Sequence, residues 1–377
     1  MKLIRPISAL LLLAFFCNLQ EAKAQDPRYS QYYSAPARLS PALAGVMESQ
    51  FRLGINYRSQ WSSVLDKPYN TASFTAEGKF AVGKEDFVGV GFNAMRDVAG
   101  ASSYAITNVG LDVNYQKLLS QGRGRLGKER SSYLIAGGHL GLGQRSIDWD
   151  QNTYSTQYDS EYGNGYYNPT INSGENMLAV RDSRMYADLH VGLMWYGTFG
   201  KRQSAYGGIS IFHLNQPDIS LFNRAPVDTS GNSFAAPTEK LYSRFNIHAG
   251  GEVRLGGRRS AMSLLPGAVV MIQGPSTEIS TGVSLRYQAP QYDDFAFRFG
   301  LWNRISNQYV DSNSSSLGVD ALIFIVGLDV NQFQFGFSYD ATMSSLATLN
   351  NSRGGMEVSL IYNFGDNGRR STGCPTF

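Results

Sequence analysis

The chain is poor in almost everything that would let it do covalent chemistry. It has two cysteines, Cys17 and Cys374, and the first falls in a leader that the mature protein is expected to lose. A lone Cys374 cannot close an internal disulfide, and one thiolate does not make a zinc site. The four histidines, His139, His190, His213 and His248, stand far apart and show no HExxH or paired-ligand spacing. No Gly-x-Ser-x-Gly elbow is present. Gly89-Val90-Gly91 and Gly137-Gly138-His139-Leu140-Gly141 lack a following helix, so they make poor phosphate cradles. No catalytic, cofactor-binding or metal residue is singled out, and no enzyme activity is expected. Past the leader no apolar run approaches about 18 residues, which excludes spanning helices. Charge of neither sign dominates. The formal charge of +3 falls to +1 once Lys2, Arg5, Glu21 and Lys23 go with the leader. Such a balance gives no field for holding nucleic acid.

Residues 1–24 read as a signal peptide. Lys2 and Arg5 precede an apolar run from Ile7 to Cys17, and Ala22-Lys23-Ala24 is a small-x-small cleavage site. The protein therefore leaves the cytoplasm.

What the chain has in plenty is glycine and aromatic residues: 40 Gly, 22 Tyr, 21 Phe and 4 Trp. Barrels use glycine where strands bend or backbones approach closely, and aromatics in girdles at the two membrane surfaces. The pattern agrees. Met356, Val358, Leu360, Tyr362 and Phe364 alternate with Glu357, Ser359, Ile361 and Asn363. Phe295, Phe297, Phe299 and Leu301 alternate with Ala296, Arg298 and Gly300; Leu189, Val191, Leu193 and Trp195 with His190, Gly192, Met194 and Tyr196. Successive strand side chains face opposite ways, so segments of about ten residues in this rhythm predict an all-β, antiparallel, up-and-down transmembrane barrel. Fourteen strands are expected, at 51–61, 69–80, 86–97, 103–118, 130–145, 185–198, 204–214, 241–256, 262–272, 277–288, 293–303, 317–330, 332–342 and 354–365. The barrel domain then covers 51–365, with a C-terminal tail at 366–377.

An even strand count puts both termini on the periplasmic side, and the two longest connections, 146–184 and 215–240, then both fall outside, as barrels prefer. Tyr154, Tyr158, Tyr162, Tyr166 and Tyr167 in the first of these are candidate outer contact residues, or simply tyrosines packed on one another. The basic turn 121–130 faces inward, as a solvated turn or a periplasmic contact. Ala321 to Val326 is apolar on both faces, which implies that its inner side meets a plug or a packed lumen. Arg58, Glu77, Arg96, Asp112, Arg286 and Arg298 are candidate lumen charges.

The most distinctive local pattern precedes the first strand. Gln25-Asp26-Pro27, Tyr29-Ser30-Gln31, Ala35-Pro36 and Ser40-Pro41-Ala42-Leu43-Ala44-Gly45 form a Pro-rich segment, 25–50. Its prolines forbid a regular helix or a central strand. It reads as an extended segment, folded into the barrel mouth or offered to a periplasmic partner. Asn56-Tyr57-Arg58 and Gln60-Trp61 follow. In a bare barrel Arg58 and Gln60 are lumen polars, while Tyr57 and Trp61 belong to the aromatic belts.

These motifs, with Phe335-Gly336-Phe337-Ser338-Tyr339-Asp340, Glu357 and Tyr362-Asn363-Phe364 at the far end, resemble the PorP/SprF outer-membrane proteins of the type IX secretion system. The resemblance covers nearly the whole mature chain and is weakest in the loops. The chain departs from it at Ala35 and Ser40, where the family tends to carry Asn before each proline. The resemblance implies a barrel in the cell outer membrane that works with periplasmic and lipoprotein components to secrete or anchor cell-surface cargo such as gliding adhesins. It points to Asp26, Pro27, Tyr29, Ser30, Gln31, Pro36, Pro41, Gly45, Tyr57, Arg58, Gln60 and Trp61 as partner-binding positions. The alternatives from the residues alone are a porin or solute transporter lined by the charges above, an outer-membrane hydrolase, and a soluble β-sandwich.

Overall fold

The computed structural model describes residues 26–365, apart from 124–128, 149–151, 160–165, 169, 172–181, 201, 222–237, 258–259, 289–294, 312–313 and 346. The signal peptide and the C-terminal tail lie outside the described residues.

Fourteen antiparallel strands close into one barrel. They are β1 (Phe51–Gln60), β2 (Tyr69–Val82), β3 (Asp86–Ala99), β4 (Tyr104–Arg123), β5 (Glu129–Ser146), β8 (Tyr186–Gly200), β9 (Gln203–Phe212), β10 (Arg244–Arg254), β11 (Met262–Gln273), β12 (Ser276–Gln288), β13 (Phe295–Asp311), β14 (Ser314–Val330), β15 (Phe333–Thr342) and β16 (Arg353–Phe364). Two-residue strands β6 (Tyr158–Asp159) and β7 (Tyr166–Tyr167) pair with each other in the longest connection. Each barrel strand pairs with its predecessor, and β1 closes on β16 with Phe51 opposite Phe364 and Arg58 opposite Glu357. Closure leaves no unpaired edge, which is what a sheet in hydrocarbon requires. The soluble sandwich is thereby excluded.

The alternation does what the sequence expects. Leu53, Ile55 and Tyr57 on β1 are exposed, as are Leu189, Val191 and Leu193 on β8 and Phe333, Phe335 and Phe337 on β15. Their neighbours Asn56, Arg58, His190 and Ser338 are buried inside. A continuous apolar exterior around polar interior positions is a lipid-facing surface. Aromatic rings gather where β1 and β16 start and end: Phe51 lies 5.3 Å from Phe364, Tyr362 5.2 Å from Phe364, and Phe333 4.7 Å from Tyr362.

Four expectations change. The connection expected at 304–316 is mostly strand, because β13 runs on to Asp311 and β14 starts at Ser314. The basic turn is likewise partly strand, with Gln121–Arg123 in β4 and Glu129 in β5. In both places polar residues continue the ladder beyond the apolar band, where no greasy alternation marks them. Arg96 is exposed on the outer face beside Thr107 (3.1 Å) rather than in the lumen.

The N-terminal segment is compact rather than extended. Three single 3₁₀ turns, Tyr32–Ser34, Pro36–Arg38 and Pro41–Leu43, fold it inside the barrel. Pro36 and Pro41 take the first positions of their turns, where the missing N–H would have had no partner anyway. Ser40 caps the last turn, its hydroxyl oxygen accepting from the Ala42 N–H at 3.3 Å.

Candidate functional site in the barrel lumen

The N-terminal segment runs from the mouth carrying the long connections, where Asp26 lies, to the mouth carrying the short turns, where it joins β1. The start of β1 and the end of β16 share one mouth as expected, but Asp26 lies at the opposite one. Its path is fixed at three levels.

At the long-connection mouth, Asp26 accepts from His213 Nε2 at 2.7 Å and Arg244 Nη1 at 2.8 Å. Its own backbone N–H donates to Gln273 Oε1. Burial pushes the Asp26 pKa up, but His213 and Arg244 more than offset this and hold it well below the usual carboxylate range. Arg28 pairs with Glu278 at 2.8 Å.

Next along the segment, in the half of the barrel nearer the long connections, the seam between β1 and β16 carries a buried charge cluster. Arg58, 4% exposed, reaches Asp340 at 2.8 Å and Glu357 at 3.3 Å, and donates to Ser30 Oγ at 2.6 Å. Arg304 binds Asp340 from the other side at 2.9 Å and Asp320 at 2.8 Å. Glu357 accepts from the backbone N–H groups of Ser30 (2.7 Å) and Gln31 (3.1 Å) and from Asn56 Nδ2 (2.7 Å). Gln31 donates to Ser338 Oγ and to the Glu357 carbonyl, and accepts from the Ser359 hydroxyl. Unpaired buried charges are strongly unfavourable. Here each carboxylate meets a guanidinium or several N–H groups, and Ser30 and Gln31 complete the set. The same residues therefore close the barrel and hold the inserted segment.

Toward the short-turn mouth, the Gly45 N–H donates to Glu77 Oε2 at 2.9 Å and Asn114 donates to the carbonyls of Pro41, Ala42 and Ala44. Lys79 donates to the Met47 carbonyl at 3.0 Å. Between these levels Tyr32, Leu39, Leu43 and Val46 join Tyr133, Ile135, Met194, Trp302, Ile323 and Ile325 in one buried apolar cluster. This explains the stretch 321–326, whose inner residues meet the inserted segment. The wall makes room with glycine. A Cβ on Gly137 would lie 2.7 Å from the Ala42 nitrogen, and one on Gly89 would collide with the Ala44 carbonyl. In each glycine-rich run one glycine, Gly89 or Gly137, is a clearance for a backbone.

Of the positions taken from the resemblance, Asp26, Tyr29, Ser30, Gln31, Pro36, Pro41 and Gly45 are buried in the lumen, with Pro27 half-buried. Arg58 joins them. Tyr57 points outward, its hydroxyl donating to Asn70, and Gln60 and Trp61 sit half-buried at the long-connection rim, the Trp61 ring 5.2 Å from Tyr69. Tyr158 and Tyr167 are exposed and 5.9 Å apart, and Tyr154 is half-buried. Tyr162 lies outside the described residues, and Tyr166 contributes backbone to β7.

Sequence reading missed how many lumen groups converge. Arg244 and Asn114 lie on expected strands but were not singled out, and Arg304 fell in the connection expected at 304–316. Three of the four histidines, scattered in sequence, meet in space: His139 stacks on His190 at 4.3 Å, and His190 lies 5.2 Å from His213.

Over residues 21–362 the chain matches the family described as type IX secretion system membrane protein PorP/SprF. It belongs to the PorP/SprF family. No curated protein matches it. Among solved structures it is similar to CdiB from Acinetobacter baumannii, at 9% identity over 84% of this chain and 60% of that one, TM-score 0.42. It thus spans less than two thirds of the CdiB chain. The CymD monoaromatic hydrocarbon channel is similar at 11% identity over 88% and 93% of the two chains, TM-score 0.42. A BamA from Haemophilus ducreyi is similar at 8% identity over 84% and 70%, TM-score 0.37. Likenesses this distant carry no argument about function. Family membership and the closed fourteen-strand barrel place this PorP/SprF protein in the outer membrane.

Proposed function

We propose that this PorP/SprF protein serves type IX secretion as a non-catalytic docking barrel. In this reading the short-turn mouth faces the periplasm and meets periplasmic and lipoprotein components of the machinery. The long connections, with Tyr154, Tyr158 and Tyr167, face outward and hold secreted cell-surface cargo such as gliding adhesins. The observation that carries the reading is the lumen filled by the chain's own residues 26–47, bonded to strands all round the wall. A bore occupied in this way argues against a porin or solute transporter, which needs a continuous polar path. It leaves the two mouths as working surfaces. At the short-turn mouth Glu48 is exposed and Ser49 and Gln50 half-exposed, so the end of the inserted segment is within reach of a periplasmic partner.

The test is chemical crosslinking in native membranes, followed by purification through a tag on this chain. Other secretion components are expected to co-purify, and substitutions at Glu48 to Gln50 are expected to weaken that recovery. Recovery of this chain alone from membranes that actively secrete would overturn the reading.

A further inference from the structure

At the long-connection mouth, two inward side chains of β8 and one residue just past β9 converge. A carboxylate oxygen of Asp188, Nε2 of His190 and a ring nitrogen of His213 all lie within 4.8 Å of one another. All three residues are buried. His213 Nδ1 is 2.9 Å from both Asp188 oxygens. His213 has a left-handed backbone (φ 54°), unusual for a residue other than glycine, and this conformation accompanies a ring turned into the lumen.

Two further observations point to a ligand. His190, 4% exposed, has an Nε2 without a hydrogen-bond partner. It stands 3.1 Å from Asp188 Oδ2, an oxygen that His213 Nδ1 also faces at 2.9 Å. A buried ring nitrogen satisfied at most by a carboxylate oxygen shared with a second histidine is costly unless something else takes it. Second, the far nitrogen of His213 faces a carboxylate, Asp26, at 2.7 Å. Metal-ligating histidines almost always carry such a partner on the other nitrogen. The ring of His190 is also held in place, stacked at 7° on His139, which is itself anchored on Asp112 at 2.9 Å.

We propose that Asp188, His190 and His213 bind a divalent transition-metal cation of the zinc class, with Asp26 accepting the Nε2–H of His213. Two imidazoles and a carboxylate suit zinc-class ions over calcium or magnesium, and three protein ligands leave a fourth position open. Both ring nitrogens of His213 face carboxylates, so without a metal it donates from both. The cation takes the place of the Nδ1 proton, which passes to solvent. Because Asp26 lies at the long-connection mouth of the lumen, the metal fastens that end of the inserted segment to the wall.

The test uses the full mature chain, purified in detergent, stripped with a chelator and titrated with Co²⁺. One equivalent is expected to bind, with the visible absorption of a low-coordinate cobalt site, and Zn²⁺ is expected to displace it. Asp188→Asn and His190→Gln are expected to abolish the absorption. Asp26→Asn is expected to weaken binding about 10- to 100-fold, and His248→Gln, a buried histidine elsewhere, to leave it intact. Heat-modifiable gel migration reports whether each variant is folded. Absence of saturable one-to-one binding by the unaltered chain overturns the proposal, whether or not the variants fold. So does binding that survives in both folded ligand variants, which marks an adventitious ion only. The assay needs no secretion partner, so its failure is separate from failure of the docking reading.

Discussion

Arg58 illustrates how much one lumen side chain holds. Its guanidinium stands between Asp340, Glu357 and Ser30, where the first strand meets the last. Arg58→Ala leaves one carboxylate without its cation and another with only Arg304. The expected loss is about 3–5 kcal/mol, the usual result of breaking a buried pair from one side, read from urea unfolding in lipid vesicles. Arg58→Lys keeps the charge but loses the fork, and should fall between the two. Gly137 tests the opposite contact. Gly137→Val pushes a side chain into the Ala42 backbone, and overpacking of this kind costs about 1–3 kcal/mol. The expected readout is faster proteolysis within residues 26–47 while the barrel keeps its heat-modifiable migration. At this scale the sequence showed which residues are polar and inward, and motif likeness picked out Ser30, Gln31, Asp340 and Glu357. It could not show that they touch. Ser30 and Glu357 are 327 positions apart, and their meeting depends on the register of every strand between them.

The strands were the most legible element, because lipid outside and a filled lumen inside impose a strict period of two. Leu111 is 55% exposed at mid-strand in β4, and its neighbour Asp112 is fully buried. Leu111→Arg is therefore expected to cost about 2–4 kcal/mol near the midplane. The same substitution at Leu119, nearer the short-turn end of β4, is expected to cost about 0–1 kcal/mol, as is usual near an interface. Folding titrations into vesicles measure both. Equal costs at the two sites would argue that no membrane surrounds this face. What escaped the sequence were strand ends such as Gln121–Arg123 and Asn307–Asp311, where the ladder continues without greasy alternation. The N-terminal segment escaped too. Its prolines rule out long elements, but they do not say that three short turns will pack against aromatic and aliphatic residues from distant strands.

For the whole molecule, fold and membrane were readable from alternation and the secretory leader, while the link to secretion came only through resemblance and is now carried by family membership. The histidine cluster was unreadable, since His190 on β8 and His213 just past β9 sit 23 positions apart without a metal-site spacing. The central claim is that this membrane barrel is filled by its own N-terminal segment. Single-molecule conductance in a planar bilayer tests it most directly, comparing the mature chain with a form lacking residues 26–44 and confirming insertion of each by protease protection. The intact protein is expected to stay electrically quiet, and the shortened one to pass large, steady currents. Steady currents through the intact chain, or silence from an inserted barrel without the segment, would contradict the account.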